Sequence, residues 1–380
     1  MKVEFYRHNL DEEDIAHLVE VCRGVFLTTG QDTKQFEEAF AAYLGVREAV
    51  GVMSCTSALH LSLLATGVGP GDEVITTAMT FAATSNAVLH AGATPVFVDV
   101  EPDTGLISPD AVERAITPRT KAIIPVHLYG HMADMRRLRA IADRHGLVLI
   151  EDCAHAIESI RDDVRPGTLG DTACFSFYAT KNITCGEGGA VVTNSADIGR
   201  RLRLLRQHGM SASASDRYSG TYKHWDLELL GWKSNMTNLQ AALLHGQLAR
   251  VDDLLERREA IASRYESGLR PVPGVAFPIV VPGARSARHL FTIWVEPARR
   301  DTLLSQLQTA GVGVAVNYRA VHLLTYYRER FGFAPGAFPV AERIGDSTIT
   351  LPLYPKLTDI EVDYVVDAVQ AAVTAVQARS

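Results

Sequence analysis

Lys181 sits between a short apolar stretch, Cys174–Phe177, and a glycine-dense segment, Gly186-Glu187-Gly188-Gly189. A lysine drawn out of water between such neighbours loses basicity, and its free amine becomes a nucleophile and a proton carrier. Asp152 closes a second apolar stretch, Val148-Leu149-Ile150. A carboxylate at the end of a buried strand is costly unless a cation or a strong donor meets it. His155 follows three residues later and would face the same place if a helix starts there. The run Ser54-Cys55-Thr56-Ser57 precedes a helical pattern. Hydroxyls there cap free amides, and those amides with the helix dipole hold phosphate. Gly231-Trp232-Lys233-Ser234-Asn235 leads into another helix, with Thr237 or Asn235 as its cap.

Taken singly, each feature has an ordinary reading: a solvated lysine, a helix-capping acid, a plain cap, a helix start. Together a desolvated lysine, a buried acid and a phosphate-holding helix terminus are the set that pyridoxal phosphate needs. The lysine forms the Schiff base, the acid keeps the ring nitrogen protonated, and the helix amides hold the phosphate.

The elements that would position these groups alternate along the chain. Apolar stretches at Ala49–Met53, Glu73–Thr77, Pro95–Val98, Lys121–Val126 and Leu147–Ile150 read as strands. Helical patterns at Thr56–Ala65, Ala82–His90, Ala111–Ile116 and Met135–His145 separate them. That alternation predicts parallel strands with helices on both faces, and ligands then bind at the carboxyl ends of the strands. Cys174–Phe177 and Ala190–Val192 are two further strand candidates. One long helix is expected from near Met236 past Arg250 into Asp252–Arg264. The Pro/Gly-rich stretch Arg270–Gly283 reads as a boundary region. Beyond it, His289–Val295, Leu303–Ala310, Gly313–Val316 and Glu361–Val376 suggest a smaller α+β unit. The expected organisation is a large domain over 1–250 and a small C-terminal domain over 251–380.

The 380 residues carry 37 Lys+Arg and 44 Asp+Glu, a formal charge of −7. No basic run is long enough to track a nucleic-acid backbone. The densest cluster, Arg200, Arg201, Arg203 and Arg206, reads as a solvated helix face. Nucleic acid is therefore not expected as a partner. No apolar run reaches the ~18–20 residues that span a bilayer. The segment from Met1 to Asp14 lacks the basic-then-apolar pattern of a secretory leader. Five dispersed cysteines without CxxC spacing fit free thiols in a reducing cytoplasm, and no metal site is expected.

Further motifs occur in order along nearly the whole chain. They include Phe26-Leu27-Thr28-Thr29-Gly30, Gly69-Pro70-Gly71-Asp72-Glu73-Val74-Ile75, Thr80-Phe81 and Ala93-Thr94-Pro95-Val96-Phe97-Val98-Asp99. Glu151-Asp152 with His155, Phe175-Ser176-Phe177 with Thr180-Lys181, Asn238-Leu239-Gln240-Ala241-Ala242 and Leu351-Pro352-Leu353-Tyr354 follow. With these the chain resembles the DegT/DnrJ/EryC1/StrS aminotransferases, sugar aminotransferases of the type I pyridoxal-phosphate fold.

The resemblance implies that fold, a mostly parallel central sheet flanked by helices with a smaller α+β C-terminal domain. It makes Lys181 the Schiff-base lysine and proton carrier and pairs Asp152 with the pyridinium. It puts His155 near the cofactor's phenolic oxygen, stacks Phe81 on the ring, and gives the phosphate to Thr56, Ser57 and Ser176. Cys55 stands where many members have glycine. Lys233 stands where the family has an Asn that reaches the neighbouring subunit's cofactor phosphate, which implies a homodimer with a shared active site. Glu187, His208, Tyr318, Arg319 and His322 fall in segments resembling substrate-side loops. Arg319 suits a nucleotide phosphate or the donor's carboxylate.

The implied reaction moves an amino group from L-glutamate to a nucleotide-linked keto-sugar, a 4-keto or 3-keto deoxyhexose. It is ping-pong, with pyridoxamine phosphate as the carrier form. Relatives that dehydrate sugars have His at the position of Lys181. A cyclitol (inosose) aminotransferase and a non-catalytic regulatory protein that kept the fold remain open alternatives.

Overall fold

The computed structural model describes residues 1–211 and 224–377. Strands β1 (Glu48–Val52), β2 (Glu73–Thr77), β3 (Thr94–Val98), β4 (Thr120–Ile124), β5 (Val148–Asp152), β7 (Thr172–Ser176) and β8 (Gly189–Thr193) form one sheet. Its order is β1-β8-β7-β5-β4-β2-β3. The short β6 (Ile160–Arg161) pairs elsewhere, with β9 (Ala284–Arg285). β8 runs antiparallel to both β1 and β7, while the other pairs are parallel. The strands predicted from apolar runs are therefore present, and the sheet is mostly parallel. β2, β7 and β8 are buried along their whole length; β7 and β8 read as unbroken apolar and small residues, and β2 does so after Glu73, which pairs with Arg119.

The helices lie close to their sequence patterns, with two instructive shifts. The helix expected from Thr56 begins at Cys55, because Ser54 is extended and its side chain accepts from the Ser57 amide. The single long helix expected from Met236 is two helices, Asn238–Ala249 and Val251–Leu269. Thr237 and Gln240 close a capping box at its start. The break falls at Arg250, whose backbone leaves helical geometry. Its guanidinium is drawn to Asp14 and to the Asn9 carbonyl. The arginine cluster is also not a uniform solvated face: Arg206 is buried and donates to Glu37 and to the Gly51 carbonyl.

Beyond residue 250, β10 (Phe291–Trp294) pairs antiparallel with β11 (Thr348–Leu351). Helices Val251–Leu269, Pro297–Thr309 and Asp359–Gln377 contribute to a core with Ile261, Tyr265, Ile293, Leu307, Ile349 and Val369. Val3 belongs to this core too, so the start of the chain packs with its end. Gly313–Val316 forms no strand of its own. Ala315 makes an isolated antiparallel bridge to Thr350 of β11, and the adjoining residues bond the N-terminal segment, Val3 N–H to the Gly311 carbonyl at 2.9 Å and Gly313 N–H to the Val3 carbonyl at 2.8 Å. Among the described residues no helix is long and apolar enough to cross a membrane.

Candidate active site

Chain direction places the ends of β1, β2, β5 and β7 and the start of β8 along one edge of the sheet. The loops that leave there carry Ser54–Ser57, Thr80–Thr84, Asp152–His155, Ser176–Lys181 and Gly186–Gly189.

Asp152 is buried at the end of β5. Its Oδ2 accepts from the Thr84 hydroxyl at 2.8 Å, and its Oδ1 accepts from the Ala154 amide at 3.1 Å. Thr84 in turn lies 2.7 Å from the Thr80 hydroxyl. Burial pushes the Asp152 carboxyl up, opposed by those donors and by the charges of Lys181 and His127. Among the described residues Asp152 has no ion-pair partner. Behind it, the fully buried Glu151 accepts from the Gly167 and Gly170 amides and sits 2.9 Å from His127 Nε2. His127 Nδ1 accepts from the Ala133 amide. His127, Glu151 and Cys153 thus gather ligand-type atoms, but the hydrogen bonds of His127 and Glu151 are already made within the fold.

Lys181 ends the turn after β7, with Nζ 3.3 Å from His289 Nε2. Desolvation lowers its basicity to about 8, against the charges of Cys55 and Asp152, which raise it. His155 is buried beside His289, their rings 4.3 Å apart. Its Nδ1 accepts from the Tyr129 amide at 3.2 Å, and its Nε2 lies 3.2 Å from the Tyr318 hydroxyl. Burial, with Lys181 nearby, holds both imidazoles well below their ordinary basicity.

At the first turn of helix Cys55–Ala65, Ser54 caps the Ser57 amide at 3.1 Å. The amides of Cys55 and Thr56 have no partner within the helix. Gly189 lets β8 lie against this turn, since a Cβ there would stand 2.5 Å from the Ser54 carbonyl carbon. Ser176 accepts from the Tyr178 amide at 3.3 Å. Phe81 is 59% exposed, its ring 5.6 Å from Tyr318, and it presents an open aromatic face at the edge.

The fold thus brings Asp152, His155, Ser176, Lys181, Tyr318 and Phe81 to one edge with Thr56 and Ser57. Arg319, next to Tyr318, and Glu187, beside Gly188, are exposed. Lys233 is exposed and bonds none of the cluster. His322 does not join the cluster. It is fully buried, lies 3.0 Å from Glu342 and packs against Phe338, so it braces the turn before helix Pro339–Ser347. Sequence reading missed His289, Asn182 and Thr84. Thr84 carries a local signal, a hydroxyl in the first turn of the helix after β2. His289 stands 108 residues from Lys181, and no spacing rule joins them.

These residues fit pyridoxal phosphate. Asp152 is a buried carboxylate that lacks a cation, which a protonated ring nitrogen supplies. The free amides beside Ser54, Thr56 and Ser57 suit a phosphate, and the Lys181 amine is desolvated enough to bond an aldehyde. Thr84 makes one part of this fit testable. Thr84→Val should leave the protein folded but remove a donor to a buried carboxylate, worth about 1.5–3 kcal/mol. The Asp152 carboxyl then rises further, and the acid limb of the pH–rate profile should move to higher pH with about a tenfold loss in rate. An unmoved acid limb would separate Thr84 from the chemistry.

The sequence profile of the DegT/DnrJ/EryC1/StrS aminotransferase family matches residues 8–370. The chain is 42% identical over 367 residues to the spore coat polysaccharide biosynthesis protein SpsC of Bacillus subtilis (strain 168), covering 95% of this chain and 94% of that protein. Among solved structures it is similar to S. venezuelae DesV, with a TM-score of 0.91 and 39% identity over 98% of each chain. The PLP form of Spr1654 from Streptococcus pneumoniae matches with a TM-score of 0.92 and 33% identity, over 99% of this chain and 100% of that one.

Proposed function

This chain belongs to the DegT/DnrJ/EryC1/StrS aminotransferase family and is a pyridoxal-phosphate-dependent aminotransferase, and we propose that it carries an amino group from L-glutamate to the keto group of a nucleotide-linked sugar. The observation that carries this reading is the placement of a desolvated Lys181 and a buried Asp152, without an ion-pair partner among the described residues, on one edge of the sheet. The sugar class is supported by the motif resemblance and by the polysaccharide role in the name of SpsC.

When bound, the cofactor supplies a conjugated ring that takes up the electron pair left when the donor's Cα loses a proton. Asp152 would face the ring nitrogen, and Thr56, Ser57 and Ser176 the phosphate. Phe81 offers its exposed face to the ring. His155 is held rigidly by Tyr129 and Tyr318, so it orients rather than titrates. Lys181 Nζ, neutral above about 8, takes and returns the Cα proton. Two half-reactions at one site give ping-pong kinetics. Arg319 and Glu187, exposed at the rim, are the groups left to meet the nucleotide or the donor.

The test is to add L-glutamate to the holoprotein without an acceptor and measure 2-oxoglutarate. One equivalent per site, followed by turnover on adding a nucleotide-linked keto-sugar, supports the reading. Product only with an inosose would move the substrate to cyclitols. No 2-oxoglutarate at all would remove glutamate as donor.

The proposal includes a homodimer that shares its sites. Leu230 is 79% exposed, and Met53 and Tyr178 add apolar surface, which a partner subunit would cover. Lys233 then reaches the partner's cofactor phosphate as a point charge. Lys233→Ala should weaken cofactor retention by about tenfold while the protein stays dimeric. Unchanged retention in dialysis would remove this contact. A cytoplasmic setting fits the five free thiols.

A further inference from the structure

A neutral imidazole donates from one ring nitrogen and accepts at the other. At His289 the fold leaves a single assignment. Asn182 Nδ2 lies 3.0 Å from the Ala287 carbonyl and 2.8 Å from Glu158 Oε2. A backbone carbonyl can only accept, so the amide's NH₂ is fixed on that side. Asn182 Oδ1 therefore faces His289 Nδ1, at 3.0 Å. Two acceptors cannot face each other, so Nδ1 carries the hydrogen. The lone pair of Nε2 is then directed at Lys181 Nζ.

We propose that His289 is the positioning residue for Lys181: its bare Nε2 accepts a hydrogen from Nζ, and the chain from Ala287 through Asn182 holds that acceptor in place. Further contacts stiffen the chain. Arg258, only 2% exposed, is ion-paired with Glu158 and gives its Nε to the Ala287 carbonyl at 3.3 Å. The His289 amide donates to the Tyr129 carbonyl at 3.2 Å. His155, its ring tilted against that of His289, has the opposite assignment. The Tyr129 amide donates to its Nδ1, so its Nε2 carries the hydrogen toward Tyr318. Of the two histidines, only His289 offers Nζ a lone pair. Burial keeps His289 neutral, so it accepts without competing for the proton.

With one N–H committed to His289, the orientation of Nζ is set. The acceptor also favours the ammonium, alongside Asp152, whose charge acts in the same direction. His155 also neighbours Nζ and opposes the ammonium when charged, while Arg258 acts on His289. The inference rests on Lys181 being the lysine that bonds the cofactor.

The experiment mixes apo-protein with pyridoxal phosphate across a pH series. It follows covalent attachment by visible absorbance, with the site mapped after borohydride reduction. His289→Asn keeps a donor for Asn182 but ends short of Nζ, whereas His289→Gln places Oε1 near the position of Nε2. In His289→Asn the pH midpoint of attachment should fall by about one unit, and its plateau rate by about tenfold. His289→Gln should recover both. A folded His289→Asn protein with wild-type midpoint and plateau overturns the inference, as does a Gln variant no better than Asn. Labelling of a lysine other than Lys181 in the unsubstituted protein would instead overturn the underlying assignment.

Discussion

Lys181→Ala should abolish turnover, with kcat reduced by at least about 10⁴-fold. In the proposed mechanism the substitution removes two functions at once, the amine that bonds the cofactor and the base that carries the Cα proton. Asp152, His155 and His289 remain. The first is an acid that must stay ionised, and burial keeps both imidazoles from taking a proton. None can replace a lysine amine. The fold should be unharmed, because a desolvated ammonium costs stability rather than supplying it. The sign can be checked in apo-protein. The folded amine titrates near 8 and the ordinary value is 10.5, so between these values the unfolded chain holds a proton that the folded one lacks. Wild-type stability should therefore rise relative to Lys181→Ala as pH climbs from about 8 toward 10.5. Thermal melts of both proteins across that window measure it. Multiple turnover within tenfold of wild type would sink the role of Lys181. Partial rescue by a small primary amine would strengthen it.

Asp152→Asn should cut the rate by about 10²–10³-fold while cofactor attachment at Lys181 persists. The side chains are nearly isosteric, and the Ala154 amide can still donate to Oδ1. Thr84 must turn its hydroxyl to accept from the new NH₂, which its contact with Thr80 permits. What is lost is the buried negative charge. A neutral amide no longer keeps a ring nitrogen protonated, so the electron pair left at Cα is less well accommodated. Single-turnover absorbance with L-glutamate isolates this step from acceptor binding. A change smaller than about threefold would show that the carboxylate has another purpose. Loss of covalent attachment as well would point to a collapsed edge rather than an electronic effect.

The chain order of the site was plain from local signals. Asp152 and Lys181 each end or follow an apolar run, and the rule that ligands gather at strand ends links them without any contact. Ser54–Ser57 likewise announced a helix start, because capping is a matter of adjacent residues. Misreadings arose where a distant contact overrode local pattern. The pattern from Met236 reads as one continuous helix, but the backbone breaks at Arg250, whose guanidinium bonds Asp14 and the Asn9 carbonyl. His322 falls in a segment that resembles a substrate-side loop, but Glu342 and Phe338 hold it inside.

By itself, the sequence determined the α/β architecture, the strand ends where a ligand would gather, and the two groups, Lys181 and Asp152, to which the proposed chemistry is assigned. Each of these follows from periodicity, capping or burial of residues close in the chain. The tertiary structure alone decided which hydrogen bonds orient those groups. Thr84 reaches Asp152 across the end of the sheet. His289 arrives from 108 residues away, with its acceptor nitrogen set by Asn182 and the Ala287 carbonyl. Hydrogen-bond direction depends on what lies within about 3 Å in space, and no local spacing encodes it.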